Sequence, residues 1–191
     1  MAYTLRDYFI GFYAIGAAVL VMVALTSLGG GEAVEKRPVG LRAYLPVLAP
    51  LNWFAPPLLM ASGIGELPLD WPFVRLTGFA ATFYSLSMLL WAPSALGRFL
   101  VPRAVIFRDH ELVTGGPYRF VRHPIYSGVV TLWLAAGLGT LNVVLLALWP
   151  VIAYAFSIQA GIEEDLLRSK FGSSYEDYVA STGRLAPRLF A

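Results

Sequence analysis

An all-α integral membrane bundle of about five transmembrane helices is the fold class that this sequence predicts, on three observations. Of its 191 residues, 58% are hydrophobic and 14% charged, whereas soluble domains usually carry about a quarter charged residues. The apolar residues gather into runs of a length suited to crossing about 30 Å of hydrocarbon as helices. The basic residues fall on alternate connections between those runs, as the positive-inside rule requires. A single membrane domain, 1–191, is expected. Residues 1–96 supply three spans, and residues 97–191 supply a polar loop, a helical hairpin and a tail. No soluble segment is long enough to bury a core of its own.

The first run, Tyr8 to Leu28, reads as a retained anchor. Its length, and the lack of a small-x-small cleavage pattern before Gly29-Gly30-Gly31, argue against a signal peptide. Glu32 to Arg42 is a polar loop with Lys36, Arg37 and Arg42. Tyr44 to Ser62 is the second span. Pro46, Pro50 and Pro56-Pro57 are expected to kink it, with neighbouring helices satisfying the freed carbonyls, and Trp53 is a packing residue. After a short connection bearing Glu66 and Asp70, Pro72 takes a favourable first-turn position and opens a third span to about Ala92. Arg75, near its start, is expected to snorkel to the interface.

Gly97 to Pro124 is the longest polar segment. It alternates apolar and polar residues (Val101, Val105, Ile106, Phe107, Leu112, Val113), which suits an interfacial or re-entrant segment rather than disorder. Its end reads Gly115-Gly-Pro-Tyr-Arg-Phe-Val-Arg-His-Pro-Ile-Tyr-Ser-Gly128. Pro124 crowds His123 out of helical geometry, and the paired glycines allow a tight backbone path. The result is a shaped polar turn just before a new helix at about Ile125. Ile125 to Leu141 and Val143 to Gly161 then form a hairpin around Thr140-Leu141-Asn142, with Pro150 bending the second arm. Ile162 to Ala191 is polar and amphipathic. Tyr175, Tyr178 and Val179 share one helical face there, expected to pack on the membrane surface.

Twelve of the fourteen basic residues fall on one face of a five-span arrangement, leaving Arg6 and Arg75 opposite. The amino terminus is therefore expected outside, with the third loop and the tail together in the cytoplasm. The dominance of arginine over lysine hints at a GC-rich prokaryotic genome, hence a prokaryotic cytoplasmic membrane.

The two histidines, His110 and His123, both lie in the third loop among Arg108, Arg119 and Arg122. Basic loops of this kind ordinarily attract anionic headgroups. Cysteine is absent, which excludes disulfides and thiolate chemistry, and two histidines without it make a poor metal site. Glu163 and Glu164 fall where the fifth run meets the same membrane face. A carboxylate near a cationic, aromatic-rich turn suits a small zwitterionic or cationic ligand. No dinucleotide fingerprint or phosphate-binding loop is present, and nothing suggests a nucleic-acid partner.

Taken together, His110-Glu-Leu-Val-Thr-Gly-Gly-Pro-Tyr118, Arg122-His-Pro-Ile-Tyr126-Ser-Gly128, Glu163-Glu164, Phe171-Gly172, Tyr175-x-x-Tyr178 and Thr182-Gly183-Arg184-Leu185 resemble the isoprenylcysteine carboxyl methyltransferase and phospholipid methyltransferase superfamily. The likeness covers about residues 97–190. It implies S-adenosylmethionine held in a cytoplasmic pocket formed by the last two helices, the preceding loop and the C-terminal helix. By motif position the cofactor residues would be His110, Leu112, Val113, Tyr118, His123, Pro124, Tyr126 and Glu163. Glu163, Glu164 and His123 are the candidates for proton transfer, and Gln159 and Arg122 for contact with the acceptor. Prenylcysteine carboxyl methyltransferases carry an arginine thirteen residues before the glycine of Phe-Gly, and here Gln159 stands in that place. A neutral amide lacks the charge-assisted grip of a guanidinium, which weighs against prenylated cysteine as the acceptor.

The acceptor expected is lipophilic or a small molecule, entering from among membrane lipids. Carboxyl O-methylation, phospholipid or amine N-methylation and thiol S-methylation all stay open. A second enzyme class is a membrane sterol-type reductase using NADPH, whose 2′-phosphate the basic loop would serve. A transporter would gather its polar groups near the bilayer midplane, whereas these gather at one face.

Overall fold

The computed structural model describes residues 5–26, 33–36, 45–100, 105–107 and 111–188. Six helices organise them: α1 (Leu5–Thr26), α2 (Leu45–Ser62), α3 (Pro72–Leu96), α4 (Pro124–Thr140), α5 (Val143–Phe171) and α6 (Ser173–Ser181). Two short strands, β1 (Ala33–Lys36) and β2 (Val105–Phe107), pair antiparallel and join the first loop to the third. Among the described residues α3 and α5 are long and apolar enough to cross a membrane, and α4 is apolar but shorter.

Helix α4 is the centre of the bundle and contacts α1, α2, α3 and α5. Its small residues let its neighbours approach closely, the usual basis of helix association in lipid. A Cβ on Gly78 of α3 would lie 2.5 Å from the backbone nitrogen of Gly139, and one on Gly128 would lie 2.9 Å from Leu89 Cγ. The two helices therefore run antiparallel at near backbone contact, and Ser85 Oγ adds a 2.7 Å bond to the Gly128 carbonyl. Gly78→Ala should force them apart at a cost of about 1–3 kcal/mol. An unchanged thermal unfolding midpoint in detergent would contradict that packing. Around α4 the core is Phe9, Tyr13, Met60, Leu89, Val129, Leu132, Trp133 and Leu145. Trp133 Nε1 donates to Asn52 Oδ1 at 2.7 Å and the Tyr13 hydroxyl to the Asn52 carbonyl, also at 2.7 Å, so the polar atoms of Trp133 and Tyr13 are paired.

The hairpin expected at 140–142 is present. Leu141 closes α4 in the left-handed region (φ 54°), and Asn142 caps α5 by accepting from Val144 and Leu145 N–H, both at 3.1 Å. Two helix ends lie beyond their expected bounds, and Arg75, expected to reach toward the interface, is fastened to backbone there: its Nη1 donates to the Gly139 carbonyl at 2.9 Å and its Nη2 to that of Leu69. Carbonyls left over at the end of α4 are strong acceptors within its reach. The third span runs past Ala92 to Leu96. Helix α5 does not stop at Gly161 but continues through Phe171, so its acidic residues lie on a helix that projects beyond the apolar stretch.

Candidate functional site

Three pieces of chain meet at one end of the bundle: the turn leading into α4, the polar end of α5, and α6 with the residues after it. The turn begins with a 3-10 segment, Gly116–Arg119. Gly116 has φ +60°, which favours glycine, and a Cβ there would crowd Ala95 of α3 at 3.3 Å. His123 is non-helical (φ −125°, ψ 68°) and Pro124 opens α4, as the crowding of proline on its predecessor predicts. Beyond α6 the chain returns alongside. Arg122 N–H donates to the Gly183 carbonyl at 2.8 Å and His123 N–H to that of Arg184 at 3.1 Å.

The adjacent glutamates point to different surroundings, because successive residues on a helix turn by about 100°. Glu163 faces the turn. Its Oε1 accepts from the Tyr126 hydroxyl at 2.5 Å and from Gln159 Nε2 at 2.9 Å, and its Oε2 lies 3.6 Å from His123 Nδ1. The His123 and Tyr126 rings stack with centroids 5.5 Å apart, and the Phe156 ring sits 5.1 Å from that of Tyr126. The Glu163 side chain keeps 23% of its surface exposed.

Glu164 is wholly buried in a cage of arginines. Arg122 Nε reaches its Oε1 at 3.0 Å. Arg184 reaches Oε1 through Nε at 3.1 Å and Oε2 through Nη2 at 2.7 Å. Arg168 Nη2 is 3.6 Å from Oε2, and His123 Nε2 is 3.4 Å from Oε1. Burial pushes the Glu164 carboxyl up, but the close approach of His123 and the hydrogen bonds from Arg184 and Arg122 outweigh it and hold the group well below the usual carboxylate range. Arg122 also donates through Nη1 to the carbonyls of Val179 and Thr182.

Tyr175 and Tyr178 pack inward rather than on a membrane surface. The Tyr178 hydroxyl donates to the Tyr118 carbonyl at 2.6 Å, and the Arg168 guanidinium lies over the Tyr175 ring at 5.7 Å. Burial pushes the Tyr178 phenol up to about 12 and raises those of Tyr118 and Tyr175 as well. All three therefore stay neutral near pH 7.

Of the residues singled out in the sequence, His123, Tyr126, Gln159 and Glu163 come together around one carboxylate. Arg122 and Glu164 meet each other behind them. Pro124 and Tyr118 are buried in the turn, and Leu112 and Val113 are half-buried in the irregular stretch before it. His110 lies outside the described residues, as do Arg37, Arg42, Arg103 and Arg108. Not singled out for the site were Phe156, Arg168 and Arg184. The first two were visible in the spacing: Phe156, Gln159 and Glu163 share one face of α5, and Arg168 follows Glu164 by one turn.

An accessible carboxylate set among aromatic rings thus lies at the polar end of an apolar helical bundle of membrane character, a donor set whose chemistry suits an organic cation. The phospholipid methyltransferase family matches residues 74–174, a little over half of the chain, and the chain belongs to that family. It is similar to the protein-S-isoprenylcysteine O-methyltransferase of Dictyostelium discoideum, 38% identical over 79 residues, 38% of this chain and 31% of that protein. The enzyme of that name in Schizosaccharomyces pombe is 40% identical over 72 residues, covering 37% and 30% of the two chains. The one in Tribolium castaneum is 36% identical over 85 residues, covering 41% and 28%. The match thus spans under a third of the length of each of these relatives.

Proposed function

We propose that this chain is an S-adenosylmethionine-dependent methyltransferase of the bilayer, similar to isoprenylcysteine carboxyl methyltransferases, acting on a lipophilic or small-molecule acceptor. One observation carries the reading: within a chain of this family, Glu163 stays accessible while Tyr126, Gln159 and His123 hold it beside aromatic faces. That donor set suits a sulfonium with a nearby ammonium, since carboxylates and ring faces both attract organic cations. Glu163, His123, Pro124, Tyr126 and Tyr118 would hold the cofactor, with His110, Leu112 and Val113 contributing from the preceding segment. Bound there, S-adenosylmethionine would supply a methyl group already activated for transfer.

What the protein adds is placement. Tyr126 and Gln159 fix the Glu163 carboxylate, and the stacked rings keep water from one side of it. A carboxylate acceptor needs no general base, whereas an ammonium or thiol acceptor must lose a proton, which Glu163 or His123 would take. Glu164 and Arg122 are assigned a different task from proton transfer and substrate contact, because each is committed to the other and to the chain around it. The reading includes five spans, with this end of the bundle in the cytoplasm, where most of the arginines gather. The names of the relatives point to a lipidated or lipid acceptor, and Gln159, turned to Glu163, offers that acceptor no positive charge.

Calorimetric titration of the purified protein should show binding of S-adenosylmethionine and none of NADPH; the reverse would favour a reductase and end this reading. Membranes supplied with radiolabelled methyl donor should then yield one labelled lipid or small molecule that identifies the acceptor.

A further inference from the structure

Arg184 reaches the back of His123 by two routes. Its carbonyl accepts the His123 N–H at 3.1 Å. Its guanidinium grips Glu164 at 2.7 and 3.1 Å, and Glu164 Oε1 lies 3.4 Å from His123 Nε2. The segment presenting Arg184 is itself fastened. A parallel bridge joins Val121 to Gly183, Arg122 Nη1 donates to the Val179 and Thr182 carbonyls, and Thr182 Oγ1 donates to the Tyr178 carbonyl.

We infer that residues 182–184 form a strap across the back of the histidine–proline turn, and that Arg184 is a positioning residue for His123. This deepens the donor-site reading above and rests on it. With Glu164 and the strap set against one edge of the imidazole, Nδ1 on the other edge is kept toward Glu163 at 3.6 Å. The strap itself need touch no ligand.

Two substitutions probe it. Arg184 is 39% exposed, and Glu164 keeps Arg122 and Arg168 when Arg184 is lost, so Arg184→Gln strands no buried charge. A Cβ on Gly183 would lie 1.8 Å from the Ala186 carbonyl oxygen, so Gly183→Ala must displace the strap while altering no charge.

The chain has two histidines, so the ring resonances of His123 in the detergent-solubilised full-length protein can be assigned by comparison with His110→Ala. Arg184→Gln and Gly183→Ala should each move those resonances and weaken S-adenosylmethionine binding about tenfold, a typical coupling between groups in one network. Arg184→Lys, which keeps the charge but not the two-point grip, should recover part of both effects. If Arg184→Gln does not fold, Gly183→Ala and Arg184→Lys carry the same comparison. Unmoved His123 resonances in the folded variants overturn the strap, even where binding is weakened, because the strap acts through the ring. Wild-type protein that binds no S-adenosylmethionine would overturn the donor reading instead, and moved resonances would still uphold the strap.

Discussion

Glu163→Gln should leave a folded protein whose affinity for S-adenosylmethionine has fallen about 10- to 150-fold, the worth of one hydrogen-bonded charge. The substitution keeps the shape of the side chain, and an amide oxygen can still accept from Tyr126 and Gln159, the partners of Oε1. What disappears is the negative charge offered to a cation. The surroundings sharpen the effect, because His123, Tyr126 and Phe156 displace water that would otherwise screen the carboxylate. Calorimetry would supply the dissociation constant, and the thermal unfolding midpoint would confirm that the fold survives. A constant within twofold of wild type would remove Glu163 from the donor site.

Glu164→Ala should act on stability rather than on binding alone, with a loss of about 3–5 kcal/mol. The substitution removes the carboxylate on which Arg122 and Arg184 converge at direct bonding distance, with Arg168 close by. The Arg122 side chain is only 8% exposed, so its charge cannot simply return to water. Denaturant titration in detergent would show the midpoint fall, and equal midpoints would mean the cage contributes nothing net. The pH dependence has a definite sign. Because the folded-state carboxyl of Glu164 lies below its ordinary value, its contribution is fully present above the unfolded value of about 4.3. It declines as pH drops below that value and is lost as pH passes through the lower folded-state value. The advantage of wild type over Glu164→Gln should therefore narrow only in strongly acidic solution.

Most of the fold was legible because apolar runs and proline positions act locally. Pro72 and Pro124 do open helices, and the chain does turn at 140–142. The end of α5 was less so: Ile162 breaks no periodicity, and the helix continues because Glu164 and Arg168 support one another a turn apart. At the site, the sequence showed acidic and basic groups bound for the same end of the bundle. It could not show which glutamate would be enclosed, since neighbours on a helix differ only in direction. Arg184 lies beyond the break at Gly172, where no repeat links it to Glu164. Its approach depends on the backbone path of residues 182–184, and no local signal encodes that. The pairing of Ala33–Lys36 with Val105–Phe107 was hidden for the same reason: two short segments far apart in the chain find each other only once the helices are assembled.

That small ribbon bears on where the molecule can be divided. The family match begins at residue 74, which invites treating everything before it as an accessory. Yet the strand between α1 and α2 is hydrogen-bonded into the loop that leads toward the histidine–proline turn. At the other end of the bundle, Phe9 fills the space beside Gly139, where even a methyl group would collide with its ring. The amino-terminal helices thus hold the remainder of the chain at both poles. A boundary drawn by sequence likeness is not a mechanical one here, and a fragment cut there would lose an anchorage as well as a pair of helices.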